Sequence, residues 1–585
     1  MYYPRLEKKK SVRSTVSAFR GYEHRLKTSE GAFYDTENLS TRLYPLMSVR
    51  KARGIYKKLA QPQGILEKDA LAWVDEGALW YNGVKTPIEG LCAGEKQLVS
   101  MGAYICIFPD KCYYNTADPT DYGPMEARWS YSGRVSYAMC DADGVPLARV
   151  AEGSAAPDAP EDGAYWLDTR EGALKTYSAV TAMWEAIESV YIRMDFTTQG
   201  QIPAAFARYD GVMLAGAAEG ITAEGEKIIH ALGGRAARAD APEEAENDYI
   251  VVIGAPMSAR TVDDAAISIT RAVPELDYVC QCANRLWGCR YGNDGTRNIN
   301  ELYCCALGDF KNWGKYMGLS TDSWRASVGT DGVWTGAVNY LGAPLFFKEG
   351  CIHRISPSPT GAHQVGETVC RGVQRGSAKS LVVVDETLYY KSRTDVCAYQ
   401  GGFPEGVSAA LGEESYHAAV AGAYGQRYYI SMLNERDEAA LFVLDIVRGL
   451  WMREDALRAQ AFARVGDELF CLSAGTLYAL NGTCGTPEAP PRWRAETGLL
   501  GCEYAQSKYI SRLLVRAWMA REAAAELFVE YDSSGAWEYA GRIKLVNTGT
   551  AELPLRLRRC DHVRVRIEGR GEVKLISLTR EVSGG

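Results

Sequence analysis

No stretch of this 585-residue sequence approaches the run of roughly 18 apolar residues that a membrane-crossing helix needs. The opening MYYPRLEKKKSVRS has a basic stretch with no apolar segment behind it. Neither membrane insertion nor signal-directed secretion is expected. No CxxC pair occurs among the 16 cysteines, which removes the strongest signature of zinc ribbons and thioredoxin-like sites. Many cysteines sit inside apolar runs such as YICIF and LFCLS, as buried reduced thiols do. The six histidines are scattered from His24 to His562 and form no local metal motif. Cys351-Ile-His353 and Cys560-Asp-His562 each place a thiol and an imidazole on one strand face. Two such pairs could converge on zinc, but a core cysteine beside a turn histidine is the plainer reading. No G-x-S-x-G elbow is present. The nearest phosphate-loop match, Gly361 to Thr368, has Glu367 where lysine is required. No metal, cofactor or catalytic residue is therefore expected.

The composition is that of a folded protein, with 47% hydrophobic and 24% charged residues, and the length calls for several domains. High Gly (58) and Tyr (35) beside low Phe (13) favours half-buried strands joined by tight turns. The expected class is all-β.

From residue 63 a theme recurs: an apolar strand, a polar turn, then a strand ending in Leu-Tyr or a variant. It appears as DALAWVDEGALWYNG, as QLVSMGAYICIFPDKCYYNT (97 to 116), and again at 284 to 308, 343 to 355, 379 to 402 and 468 to 482. Such hairpins cannot bury both faces alone, and radial stacking of small sheets solves that. The expectation is a β-propeller of about six or seven blades at about 40 to 45 residues each. No WD dipeptide, kelch pattern or Asp-box recurs. Residues 55–128 form its first part and 276–482 the remainder. Between them, 129–275 has about twice as many acidic as basic residues and two Pro- and acid-rich breaks, 154 to 163 and 240 to 248, and is read as inserted small β modules. After a Pro-rich joint at 483–508, the alternating segments of 509–585 predict a C-terminal β-sandwich.

Charge is placed unevenly. The net is −8, yet the first 60 residues hold 14 Lys and Arg against 5 Asp and Glu, leaving −17 for the rest. Residues 1–54 are read as a basic arm. Lys8, Lys9, Lys10 and Arg13 would meet DNA phosphates or an acidic neighbour, or simply be solvated. In the insert, Trp166, Tyr177 and Trp184 offer surfaces for stacking on sugar rings, although core packing of a small domain is the plainer explanation. A glycosidase propeller would need paired carboxylates, and no spacing marks two among the 73 acidic residues.

The segment GAFYDTENLSTRLYPLMSVRKARG (31 to 54) carries Phe33, Asp35, Asn38, Leu39, Tyr44, Pro45 and Arg50 in the pattern F-x-D-x-x-N-[LM] followed by Y-P-[LM]-x-x-x-R. This resembles the opening of tailed-bacteriophage virion proteins. ALGDFKNW, GLSTDSW, PLFFKEGCIHRI and FVLDIVRGLWMRED add to the likeness, and residues 163 to 187 are similar to small β inserts of tail and baseplate proteins. The general form resembles propeller-built tail-nozzle or DNA-stabilisation proteins. The resemblance implies a non-enzymatic tail or neck component made in the bacterial host cytoplasm and assembled in the virion as a homo-oligomeric ring. Its partners would be other tail or neck proteins and packaged DNA, with no membrane. The alternatives are a receptor- or glycan-binding tail protein and a propeller glycoside hydrolase.

Overall fold

The computed structural model describes residues 11–197, 202–217, 221, 226–234, 248–502, 508–555 and 558–584. Among them the chain is nearly all β. Its helices are two single 3-10 turns, Ala378–Ser380 and Ala409–Leu411, and none is long and apolar enough to cross a membrane.

Seven small antiparallel sheets are each built from strands consecutive in the chain, with first strands Pro62–Lys68, Gln97–Met101, Tyr278–Cys282, Gly336–Tyr340, Val382–Val384, Tyr416–Tyr424 and Ala461–Val465. The last sheet departs from that order: it takes Gly54–Lys58 as its fourth strand, with Ile55 opposite Tyr478, and Thr486–Pro487 pairs beyond it. The first strands adjoin one another in sequence order, with Ala378–Ser380 bridging Gly336–Tyr340 to Tyr416–Tyr424. Ala461–Val465 returns to Pro62–Lys68, so the series closes into a ring.

Local sequence explains the hairpins. Glu76-Gly77, Asn82-Gly83, Leu341-Gly342 and Ala474-Gly475 are two-residue loops with positive φ at both positions, the geometry that matches strand twist. At Gly77 space also decides, because a Cβ would lie 2.9 Å from the Leu91 carbonyl oxygen.

Between the sheets, alternation becomes packing. In Ala343–Lys348, Phe346 meets Trp287 of the preceding sheet and Trp334 of the loop that leads into its own, while Leu345 and Phe347 meet Leu388 and Tyr390 of the following one. Ile105 and Ile107 likewise pack on Ala72 and Val74, and Cys106 faces Leu286 and Tyr303. Both faces of each sheet are buried, which is why these strands are apolar throughout rather than alternating.

The region between the second and third small sheets holds a seven-stranded sheet centred on Ala127–Cys140 and Arg260–Arg271, and a four-stranded sheet, Ala151–Gly153 to Met183–Ala186. The acid-rich break at 240–247 lies outside the described residues. Two larger sheets complete the molecule. One orders Phe33–Glu37, Arg492–Thr497, Val563–Arg570, Ala524–Tyr531 and Trp537–Ile543; the other contains Met47–Val49, Val573–Gly584, Lys508–Met519 and Asn547–Pro554, with Ser11–Val16 paired to Val573–Gly584. They share a core of Phe33, Met47, Leu513, Val515, Leu527, Val565 and Ile567, continuous with Tyr429, Leu441 and Cys471 of the ring.

This placement corrects the reading of 1–54 as an arm. From Ser11 onward the segment supplies strands to both larger sheets, because Phe33, Leu39 and Met47 are apolar anchors that are fully buried there. The residues of its pattern are clamps. Asp35 pairs with Arg453 at 2.9 Å and Arg494 at 2.7 Å. Asn38, at φ 54°, accepts from Arg50 Nε at 2.6 Å and donates to the Arg492 carbonyl at 2.7 Å. Arg50 pairs with Glu488, and Arg53 holds Asp455 at 2.7 Å and Glu454 at 2.9 Å.

Candidate functional site

A cavity of about 1070 Å³ opens where the first strands of the ring begin. The loop 93–97 and Asp277-Tyr278 form one wall. Gly376 to Lys379, Ala418, Val420, Arg458 and Gln460 form the other, with Gln61 and Gln63 between them. Its lining is rich in amides and charges, the surface that a hydroxyl-rich ligand requires.

Two carboxylates stand here. Glu95, exposed, pairs with Lys379 Nζ at 2.7 Å, and the same ammonium donates to the Gln460 carbonyl at 2.6 Å. Asp277 accepts from the Tyr291 backbone N–H through Oδ2 at 2.7 Å. Gln97 fixes the strand beside it, donating to the Asp277 carbonyl at 2.7 Å and accepting from the Val279 N–H at 3.1 Å. Protein packed around the Asp277 carboxyl raises its pKa, against the lowering effects of the Tyr291 N–H and Arg290. Tyr278 lies within the field of both acids. Burial first, then Cys289, Asp277 and Glu95, raise its phenol above the ordinary value. The arrangement joins a carboxyl inclined to keep its proton to a second carboxylate held by a lysine, the pattern for acid–base work on a neutral ligand.

The residues expected from sequence lie elsewhere. Lys8, Lys9 and Lys10 are outside the described residues. Arg13 is in strand Ser11–Val16 and pairs with Glu581 at 2.9 Å, a carboxylate that also holds Arg512 at 3.3 Å. Trp166, Tyr177 and Trp184 come together in the insert's four-stranded sheet. Trp184 meets Trp166 edge-on at 5.5 Å and Tyr177 at 5.4 Å, Trp166 donates to the Gly153 carbonyl, and Lys175 lies over its ring. Cys351 and His353 adjoin at 3.9 Å in the fourth small sheet, whereas Cys560 lies in one of the larger sheets and His562 in the turn after it, where it meets Ser533 at 2.7 Å. The two pairs do not converge, and among the described residues no group of three metal-ligating side chains occurs. Glu95, Asp277, Tyr278 and Lys379 were missed because they lie up to 284 positions apart, at strand starts and in a 3-10 turn, and only closure of the ring brings them together. Their one local signal is a charged or amide residue just before an apolar first strand.

No protein-family model matches the chain, and no curated protein matches it significantly. Solved structures do match. An exo-β-1,3-galactanase from Phanerochaete chrysosporium is similar at 9% identity, over 52% of this chain and 94% of its own, with a TM-score of 0.22. A glycoside hydrolase family 43 arabinoxylan arabinofuranohydrolase from Bacillus subtilis is similar at 10% identity, over 52% and 94%, with a TM-score of 0.18. An engineered family 43 enzyme with endo-xylanase and exo-arabinofuranosidase activity gives 9%, 52% and 97%, and 0.19. The expectation of a non-enzymatic structural component of a tailed-phage virion is corrected by these matches, which are sugar-cleaving enzymes and include no virion protein; it is not carried further. At such scores the likeness assigns no activity to this chain, and the reading below rests on the geometry of the cavity.

Proposed function

We propose that the ring is a seven-bladed β-propeller, closed by Gly54–Lys58 in the last blade and followed by a C-terminal β-sandwich, and that it hydrolyses a glycosidic bond at the mouth of its channel. Asp277 is the proton donor to the leaving oxygen, and Glu95 the carboxylate that acts on water or on the anomeric carbon. The observation that carries this reading is the raised carboxyl of Asp277 sharing a cavity wall, and the field at Tyr278, with a second carboxylate. A donor must hold its proton near neutral pH, and crowding of the carboxyl by protein favours that state. The paired Lys379 holds Glu95 in a fixed orientation. Gln61 and Gln460 supply neutral donors and acceptors for sugar hydroxyls. A cavity of about 1070 Å³ takes several sugar rings rather than one.

The test is a release assay on a panel of plant and microbial polysaccharides and aryl glycosides, with products separated by chromatography. Release by the wild-type protein, lost in Asp277→Asn and Glu95→Gln with the fold retained, is the expected result. Absence of release across the panel, or equal release by both variants, contradicts the proposal. The ring closure has its own test: deleting residues 54–58 exposes the edge of the last blade and should turn the protein into a broadly melting or aggregating species.

A further inference from the structure

The loop that carries Glu95 ends in a contact that catalysis does not need. Lys96, with its side chain wholly withdrawn from solvent, donates from Nζ to Cys92 Sγ at 2.9 Å and pairs with Asp110 Oδ2 at 2.7 Å. Asp110 closes the triangle through Oδ1, which accepts from the Cys92 N–H at 2.6 Å. Cys92 itself is exposed, one of two exposed cysteines among the described residues. A buried lysine is ordinarily paired with a carboxylate and left there. Here the same ammonium is also held against the sulfur of a solvent-reachable thiol four residues away. The residues between them, Ala93, Gly94 and Glu95, line the cavity, and Gln63 reaches from the cavity wall to the carbonyls of Cys92 and Gly94 at 2.7 and 3.0 Å.

We propose that Cys92 and Lys96 form an oxidation-dependent covalent modification site, a reversible sulfur–nitrogen crosslink that staples the loop at the mouth of the ring. The oxidant is hydrogen peroxide. In the first step the Cys92 sulfur attacks one peroxide oxygen: the O–O bond breaks, an S–OH bond replaces S–H, water leaves, and the sulfur has given up two electrons. In the second, the Lys96 amine, after passing its extra proton to Asp110 or solvent, attacks the sulfenic acid sulfur. The S–N bond forms, the S–O bond breaks, and a second water leaves with no further change of oxidation state. Two equivalents of an external thiol return the free thiol and amine, and leave as a disulfide. Proximity favours capture over further oxidation, because the amine is already in contact with the sulfur while a second peroxide must diffuse to it.

Peptide mapping of the intact protein tests the site without reference to activity. Peroxide treatment followed by trypsin should remove cleavage after Lys96, giving a peptide that begins at Thr86, runs past Lys96 and is lighter than its unmodified form by two hydrogens. Dithiothreitol should restore cleavage, and Cys92→Ser, a change at an exposed position, should cleave normally throughout. Normal cleavage after Lys96 with Cys92 as sulfinic or sulfonic acid overturns the proposal. The effect on the mouth rests on the glycosidase reading and is scored separately. A several-fold fall in turnover on oxidation, reversed by dithiothreitol and absent in Cys92→Ser, supports coupling to Glu95. A mapped crosslink with unchanged turnover overturns that coupling while the site stands.

Discussion

Two clusters of charge occupy the ring and its attachment, and they are built in opposite ways. At the junction with the larger sheets, Arg50 and Arg53 are buried, and Glu454, Asp455, Glu488 and Asn38 surround them, so that each guanidinium meets a carboxylate. At the mouth of the ring, Glu95 and Asp277 face a cavity, and one lysine serves the first while a backbone N–H serves the second. Charge withdrawn from water and fully paired fixes how elements meet; charge left accessible and only partly paired remains free to exchange a proton with a ligand. The junction residues come from the segment that, as a sequence, looks most like a functional signature. The mouth residues come from unremarkable loops.

The largest effect expected from breaking this contrast is at the junction. Arg53→Ala takes the closer of two guanidiniums from Glu454 and Asp455, leaving them only Arg50 at 4.0 and 3.6 Å, and should lower unfolding free energy by about 3 kcal/mol in denaturant titration. A loss of under about 1 kcal/mol would mean that the cluster is hydrated and does not hold the two units together.

A second test concerns a buried group with no carboxylate to pair with. His353 meets Thr330 at 3.1 Å through Nε2 and Cys351 at 3.9 Å through Nδ1, with the Lys348 ammonium nearby. Burial first, then Lys348, lowers its pKa to about 4. The unfolded chain therefore binds a proton that the folded one refuses. The stabilisation is fully present above about pH 6.5 and is lost as pH falls toward 4, by up to about 3 kcal/mol. His353→Gln should flatten that part of the stability profile, measured as melting temperature against pH.

Smaller effects sharpen the picture at the mouth and the surface. Lys379→Met removes the partner of Glu95 and should reduce turnover a few-fold, in keeping with about 1 kcal/mol for a partly exposed pair, without changing melting temperature. Arg13→Ala breaks a pair whose guanidinium is exposed and whose buried Glu581 keeps Arg512 at 3.3 Å, and should shift stability by no more than about 0.5 kcal/mol. A larger loss would show that Ser11–Val16 is needed to hold Val573–Gly584.

The strand repeat was legible because it is local: Asp-, Asn- and Gly-containing turns between apolar runs mark the hairpins, and six of the seven small sheets fall where those runs fall, while the sheet from Tyr416–Tyr424 to Leu450–Asp455 matches none of them. The origin of the ring's closing strand was not, since Ile55 pairs with Tyr478 across more than 400 residues. Phe33, Asp35 and Arg50 were recognisable as a pattern, but their partners Arg494 and Glu488 are equally remote in sequence, so the pattern carried no indication of its structural use. The basic character of residues 1–54 was misleading for the same reason: Arg50 and Arg53 spend their charge inside the molecule. At the mouth, Glu95 and Asp277 are two of 73 acidic residues, and nothing short of the folded ring distinguishes them.

The most direct test of the central claim compares wild-type protein with Asp277→Asn on the best polysaccharide found, measuring binding by calorimetry and product release by chromatography on the same samples. Retained binding with release reduced about 10²–10⁴-fold is the predicted result, since the amide keeps the shape of the wall and cannot supply the proton. Equal release by the two proteins would contradict the assignment of chemistry to the mouth of the ring.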